Sequence, residues 1–254
     1  MEESKNPIQV ADRLFGAMEY LADHESASLM EVAEHLELNK STAHRVLMSL
    51  SYMGYVSQNK VDGRYELTYK VVEVARKLMQ DSSVVRRVHP YLQQLMRETG
   101  ETVHLVQRDG SDVLYIDKVE ATGPHFKMGS SIGSRIPMYC SGVGKAIAAT
   151  LSDPEVEEIW AGSDIKNHTS YTITDYSEFQ KTLAEVRTRG YALDNEENET
   201  GIRCIAVSLP LAGSTAEYAF SISAPIGRMP NSRIAELSVF MLETKKQIIS
   251  AQSM

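Results

Sequence analysis

The segment at residues 40–45 carries side chains suited to contact a polyanion. Lys40, Ser41, Thr42, His44 and Arg45 all supply hydrogen-bond donors, and no acidic residue interrupts them. Cationic side chains and hydroxyls bind phosphate oxygens, and arginine or histidine can also address the edge of guanine. The segment therefore predicts a DNA-contacting surface. The alternative is an ordinary solvated helix face, because many such faces belong to proteins that never bind nucleic acid.

Three helical patterns and a hairpin surround this segment. Ser28 starts a capping box that opens the second helix, and Asn39 can cap the third. Asp62-Gly63 predicts a hairpin turn that carries Lys60 and Arg64 near its tip. Together these elements predict a winged helix-turn-helix, whose third helix enters the major groove. The predicted DNA-contacting residues are Ser28, Lys40, Ser41, Thr42, His44, Arg45, Lys60 and Arg64.

The length of 254 residues allows two domains. We assign the winged helix to residues 1–68, a linker helix to 69–82 and a second domain to 83–254. Strand-like runs lie near residues 102–107, 113–119, 203–209 and 218–224, with a further strand near Tyr191. A helix is predicted from Ser83 through Thr99, which Pro90 either begins or kinks, and further helical patterns cover about 141–151, 154–160 and 176–189. The predicted fold class is therefore α+β, with one antiparallel sheet covered by helices. Because one small winged helix binds weakly, we expect a homodimer on a two-fold operator in double-stranded DNA.

Small residues at 141–146 resemble a phosphate loop, but the leading glycine is absent and Ala146 replaces the magnesium-binding hydroxyl. Nucleotide hydrolysis is therefore excluded. The amides at the start of this predicted helix could bind a carboxylate, or the glycines could serve close packing alone.

Three further polar residues are candidates for ligand contacts. Asp194 directly follows a predicted strand and could accept hydrogen bonds from a ligand, whereas most of the acidic run 194–199 is expected to be solvated. Ser221 and Ser223 alternate on a predicted strand, so both face one side, which is either a binding face or an exposed one.

Composition limits the other functions. A net charge of -8 argues against indiscriminate coating of nucleic acid, though not against a local reading surface. Cys140 and Cys204 are far apart, and no cysteine or histidine spacing fits a metal site, so we expect no metal or cofactor. The polar N-terminus and the short apolar runs predict a cytoplasmic protein without a membrane span. Two rivals stay open: an enzyme that uses Cys204 or His104 on a small acid, and a winged helix that binds only protein.

The sequence resembles the IclR family of bacterial transcriptional regulators over nearly its whole length. The resemblance is carried by Leu38-Asn39-Lys40-Ser41-Thr42, Gly54-Tyr55-Val56, Glu101-Thr102-Val103-His104-Leu105, Gly142-Val143-Gly144-Lys145-Ala146, Asp194-Asn195-Glu196-Glu197 and Gly201-Ile202-Arg203-Cys204. It implies a GAF-like or profilin-like effector domain, homodimers that often pair into tetramers, and small carboxylate, sugar-acid or aromatic-acid effectors.

The resemblance also implies an effector pocket. Its residues would be Met128, Ile136, Gly142, Val143, Asp194, Ile202, Cys204, Ser221 and Ser223. Within the family, segments 131–137 and 194–204 are most similar to repressors of the 2-keto-3-deoxygluconate (KdgR) type, which control carbohydrate catabolism. A repressor that responds to a sugar acid, and not an enzyme, is therefore the expected function.

Overall fold

The architecture comes from a computed structural model of the chain. It describes residues 6–81, 83–121, 129–211 and 217–251, and for residues 77–81 and 83 the backbone alone. The chain divides into two units, Met1–Asp81 and Ser82–Met254, and each is described by itself.

The first unit contains four helices and one hairpin within its described residues. These are α1 (Gln9–Asp23), α2 (Leu29–His35), α3 (Lys40–Tyr52), β1 (Val56–Gln58), β2 (Tyr65–Leu67) and α4 (Lys70–Asp81). The Ser28 hydroxyl accepts the amide of Glu31, and the Asn39 side chain accepts that of Thr42, so both predicted caps are confirmed. Gly63 adopts a φ of +73°, which the predicted hairpin turn requires.

The hairpin is tied to the helices by an extra pairing. β1 and β2 are antiparallel, and an isolated bridge joins Tyr65 on β2 to Ala27, just before α2. Tyr65, Leu47 and Leu50 are buried together in the core of this unit. The wing and the helix pair α2–α3 therefore share one core.

The second unit is an antiparallel sheet between helical layers. Its elements are α5 (Ser83–Thr99), β3 (Thr102–Asp109), β4 (Asp112–Val119), β5 (Arg135–Pro137), α6 (Gly142–Ala148), α7 (Asp153–Gly162), α8 (Tyr176–Arg189), β6 (Ala192–Asn195), β7 (Ile202–Leu209), β8 (Tyr218–Pro225) and α9 (Asn231–Ser250). The sheet order is β5-β4-β3-β8-β7-β6, with every neighbouring pair antiparallel. This confirms the predicted α+β class. β5 was not predicted, and α5 runs through Pro90 where a start or kink was expected.

Alternation along the strands sends side chains to two cores. On β7, Ala206 packs in the core that contains Ile147 of α6, whereas Ile205 and Val207 pack in the core that contains Leu237 of α9. Because helices cover both faces, the central strands are apolar on both sides, and polar residues in them stand out. No helix in the described parts of the chain is both long enough and apolar enough to cross a bilayer.

Candidate functional site

The predicted reading surface lies on the exposed side of α3. Lys40, Ser41, His44 and Arg45 are exposed and Thr42 is half-buried, because the apolar positions between them turn into the core. Within the described residues, no carboxylate pairs with Lys40 or Arg45. Their charges are therefore available to a phosphate backbone.

The two cations of the wing differ in their surroundings. Lys60 is exposed at the tip. Arg64 instead donates from Nε to the Ser26 hydroxyl at 2.9 Å and from Nη2 to the Ser26 carbonyl at 2.8 Å, and it pairs with Glu31 at 3.1 Å. Ser28 is likewise engaged, because its amide donates to Glu31 at 2.6 Å. The DNA contacts of Arg64 and Ser28 stay predictions, and the structure gives both residues a local structural role.

The second unit contains a cavity of about 370 Å³ between β4, β5, the start of α6 and strands β6 to β8. The cavity brings together all of the predicted effector residues that the structure describes, namely Ile136, Gly142, Val143, Asp194, Ile202, Cys204, Ser221 and Ser223. Met128 lies outside the described residues. The role of these residues in ligand binding stays a prediction.

Strand register explains how residues far apart in sequence meet there. Asp194 on β6 is paired with Cys204 on β7, and Cys204 is paired with Ser223 on β8. Ser221 lies two positions from Ser223, so it faces the same side of the sheet. Strands β6, β7 and β8, which form one side of the sheet, therefore present a row of polar side chains to the cavity.

The two glycines of α6 pack closely against neighbouring backbone. A Cβ atom on Gly142 would lie 3.3 Å from the Asp194 amide nitrogen, and one on Gly144 would lie 2.3 Å from Met138 Cα. Real Cβ atoms do not approach backbone as closely as 2.3 Å, so packing requires glycine at position 144, whereas the contact at position 142 is tight and could be relieved by a small shift. Gly142 and Val143 also line the cavity, so packing and ligand contact are not exclusive.

A buried charge cluster lies beside the cavity. Asp194 is 5% exposed, and its Oδ1 accepts the amide of Glu197 at 2.7 Å. Burial raises the pKa of Asp194 to about 7, although the nearby Lys145 opposes this. Lys145 forms an ion pair with Glu197, and both are buried. The expectation that the acidic run beyond Asp194 is solvated is therefore wrong for Glu197, because Lys145 compensates its charge inside the protein.

His104 and Tyr115 are further residues of the cavity region that sequence reasoning did not place there. His104 Nε2 lies 2.8 Å from the Ser130 hydroxyl, and its Nδ1 lies 3.4 Å from that of Ser223. Burial lowers the pKa of His104 to about 3, so the ring is neutral. Its centroid is 5.1 Å from that of Tyr115, which lines the cavity. The signal that could have found both is a polar or aromatic residue at the inward positions of β3 and β4.

The two thiols are protonated. Burial raises the pKa of Cys140 to about 12 and raises that of Cys204 further. The thiolate, and not the thiol, is the nucleophile in cysteine catalysis. Cys204 therefore lines the cavity as a small, uncharged side chain.

Residues 10–60 match the IclR helix-turn-helix domain, and residues 76–250 match the bacterial transcriptional regulator IclR C-terminal domain. The chain belongs to the IclR family. The first match covers the reading surface on α3, and the second covers the cavity, so the resemblance predicted from the motifs is confirmed. This IclR-family chain is a DNA-binding transcriptional regulator with a small-molecule effector domain.

Individual relatives agree over nearly the whole chain. The chain is 34% identical to the HTH-type transcriptional regulator KdgR of Escherichia coli K12, over 98% of this chain and 94% of that protein. It is 32% identical to the transcriptional repressor IclR of the same organism, over 96% of this chain and 90% of that protein. The crystal structure of the Thermotoga maritima IclR matches with a TM-score of 0.78 at 30% identity, over 97% and 99% of the two chains.

Proposed function

We propose that this IclR-family regulator is a repressor that binds a two-fold operator as a homodimer, and that a sugar acid such as 2-keto-3-deoxygluconate in the cavity changes its affinity for DNA. The observation that carries this proposal is the row of Asp194, Cys204 and Ser223 in register across three strands. A polar row buried in a sheet that helices cover on both sides is costly unless its members form hydrogen bonds, and the cavity beside this row leaves room for a ligand to supply some of them.

The size and lining of the cavity favour a polyhydroxylated ligand. A volume of about 370 Å³ equals that of about a dozen water molecules at ~30 Å³ each, so it exceeds what an acid of two or three carbons would fill. Hydroxyl and amide side chains surround it, and they match ligand hydroxyls. These are Ser130, Ser134, Ser141, Asn198, Ser221 and Ser223.

We infer that the cavity binds its ligand and does not convert it. Cys204 is protonated, and His104 is neutral and lies within hydrogen-bonding distance of two serine hydroxyls. The thiol of Cys204 is not the nucleophilic thiolate, and an imidazole whose pKa is about 3 is too weak a base to activate a serine, a thiol or water near neutral pH. Incubation with 2-keto-3-deoxygluconate should therefore return it unchanged, and a new product detected by chromatography would favour the enzyme instead.

DNA binding can be tested on the α3 surface. We expect Lys40→Ala and Arg45→Ala each to weaken binding to DNA from upstream of the regulator's own gene by about 1–3 kcal/mol, and each to reduce the salt slope by about one. Fluorescence anisotropy against salt concentration measures both quantities. Lys246→Ala is the matched control, because Lys246 is also exposed, at 77%, but lies in the second unit. Unchanged affinity and slope in both α3 variants would refute the recognition-helix assignment.

The effector response can be tested separately. Calorimetry with 2-keto-3-deoxygluconate, D-gluconate and D-glucuronate should give saturable binding to at least one acid, and that acid should change the affinity for DNA. Ser223→Ala should retain DNA binding and lose the response, because it removes from the polar row a hydroxyl that lines the cavity. A Ser223→Ala protein that responds normally would show that the ligand binds elsewhere.

A further inference from the structure

The described lining of the cavity offers an effector carboxylate no unpaired cation. Among its described lining residues the only cationic side chain is Arg135, and its Nε and Nη2 atoms both lie 2.7 Å from the Asp109 carboxylate. The same lining carries two acidic residues, Asp194 and Glu199. Among the described residues of the lining, an anionic effector would therefore meet more acidic groups than unpaired cations.

Asp194 has one oxygen engaged and one available. Its Oδ1 accepts the Glu197 amide at 2.7 Å and the Asn198 amide at 3.5 Å. No described residue donates a hydrogen bond to Oδ2, and Asp194 lines the cavity. Gly142 packs against the other side of the residue, where its Cβ position lies 3.6 Å from the Asp194 Cβ atom. Oδ2 is thus the carboxyl atom that a ligand can reach.

The surroundings of Asp194 favour its neutral form. Lys145 of α6 is the only cation that acts on it among the described residues, and Lys145 is already paired with Glu197. Burial and the Glu197 charge outweigh this attraction and raise the pKa of Asp194 to about 7. The other titratable groups facing it are Tyr115 of β4, Cys140 before α6, Glu199 after β6 and Cys204 of β7.

We propose that Asp194 takes up a proton from solvent when a carboxylate effector binds, and that its Oδ2–H group donates a hydrogen bond to the effector carboxylate. The inference rests on the proposed function, because it requires an anionic ligand. The proton stays on Oδ2 and no covalent bond is formed. Asp194 is then the residue by which the described lining of the cavity accepts an anion without an unpaired cation.

The consequence is a defined dependence of affinity on pH. Below about pH 6 most of Asp194 is already protonated, so binding takes up little proton and the Kd is constant. Above pH 7 the proton must be acquired on binding, so the Kd rises up to tenfold for each pH unit. The effector carboxyl is ionised over this whole range and contributes no proton of its own.

Calorimetry in buffers of different ionisation enthalpy counts this proton directly. We expect titration of 2-keto-3-deoxygluconate, D-gluconate and D-glucuronate in phosphate and in Tris at pH 8 to show uptake of close to one proton for each acid that binds. At pH 6 the uptake should be close to zero. Binding at pH 8 with no proton uptake would overturn the proposal and leave the proposed function intact. Failure of all three acids to bind at pH 6 would overturn both.

Two variants locate the proton. In Asp194→Asn the amide oxygen can still accept the Glu197 amide and the NH2 group can donate to a ligand, so the variant should bind with a Kd that is independent of pH and without proton uptake. In Glu199→Gln the uptake and the pH dependence should persist. Loss of both in Glu199→Gln, with both retained in Asp194→Asn, would assign the proton to Glu199 and refute the role of Asp194.

Discussion

The outer face of α3 and the cavity of the second unit handle charge in opposite ways. On α3, Lys40, His44 and Arg45 come from a single stretch of six residues and are exposed. Around the cavity, Lys145, Asp194 and Glu197 come from separate elements and are buried. An exposed charge costs folding little, whereas a buried one is tolerated only with compensation.

The difference shows which kind of site tolerates substitution. A surface built from exposed cations can lose one of them and keep its fold, so such losses affect binding alone. A cavity built on buried charges couples ligand contact to stability, because the groups that shape it also belong to the core. Three pairs of substitutions test this contrast, from the largest expected effect to the smallest.

The strongest test removes the buried cation. Lys145→Met leaves the Glu197 charge buried without its partner, so we expect the free energy of unfolding to fall by about 3–5 kcal/mol. Urea denaturation followed by circular dichroism measures the change. Lys166→Met is the matched control, because the Lys166–Asp164 pair is 65% and 77% exposed, and it should leave the urea midpoint unchanged. Equal losses of unfolding free energy in Lys145→Met and Lys166→Met would show that the buried ion pair is no more important for stability than the exposed one.

The second test adds a side-chain atom at Gly144, where α6 packs directly against the backbone of Met138. Gly144→Ala places a Cβ atom 2.3 Å from Met138 Cα and 2.4 Å from the Met138 carbonyl oxygen, so a helix or a loop must shift. We expect a loss of about 3 kcal/mol in unfolding free energy, together with weaker effector binding. Gly227→Ala, whose Cβ position has no neighbour within 4 Å, should unfold at the wild-type urea concentration.

The third test separates the two cations of the wing. Lys60→Ala should reduce the salt slope of DNA binding by about one without changing stability. Arg64→Ala should lower the free energy of unfolding by under about 1 kcal/mol, because its bonds to Ser26 are only partly shielded from water. If Arg64→Ala instead reduces the salt slope as much as Lys60→Ala, the Arg64 side chain must leave Ser26 to reach phosphate.

Local patterns were enough to predict most of the elements. The bounds predicted for α5 and α8 are those observed, because long apolar stripes and end signals such as Gly100 and Gly190, both at positive φ, define them. The caps at Ser28 and Asn39 were also predicted from local signals, namely the type of the capping residue and its position before a helical pattern. β5 was missed because Arg135–Pro137 is too short to show an alternation, and it is a strand only because it pairs with β4.

The cavity was predictable in its residues but not in its charges. Alternation indicated that Ser221 and Ser223 share a face, whereas Tyr115 was not predicted to line the cavity. The family resemblance indicated Ile136, Gly142, Val143, Asp194, Ile202 and Cys204. The pair Lys145–Glu197 joins positions 52 residues apart, and no periodicity or local motif reports such a contact. The one available signal was a lysine in a short helix of small apolar residues, all of which are buried.

The bridge between Ala27 and Tyr65 limits how the regulator can be switched. It fastens the hairpin to the segment that enters α2, and the Arg64 bonds to Ser26 add a second attachment beside it. The distance between the hairpin tip and α3 is consequently fixed by contacts within the unit. A metabolite signal would then have to move this unit on or off its operator as a whole, because moving the hairpin relative to α3 would break both attachments.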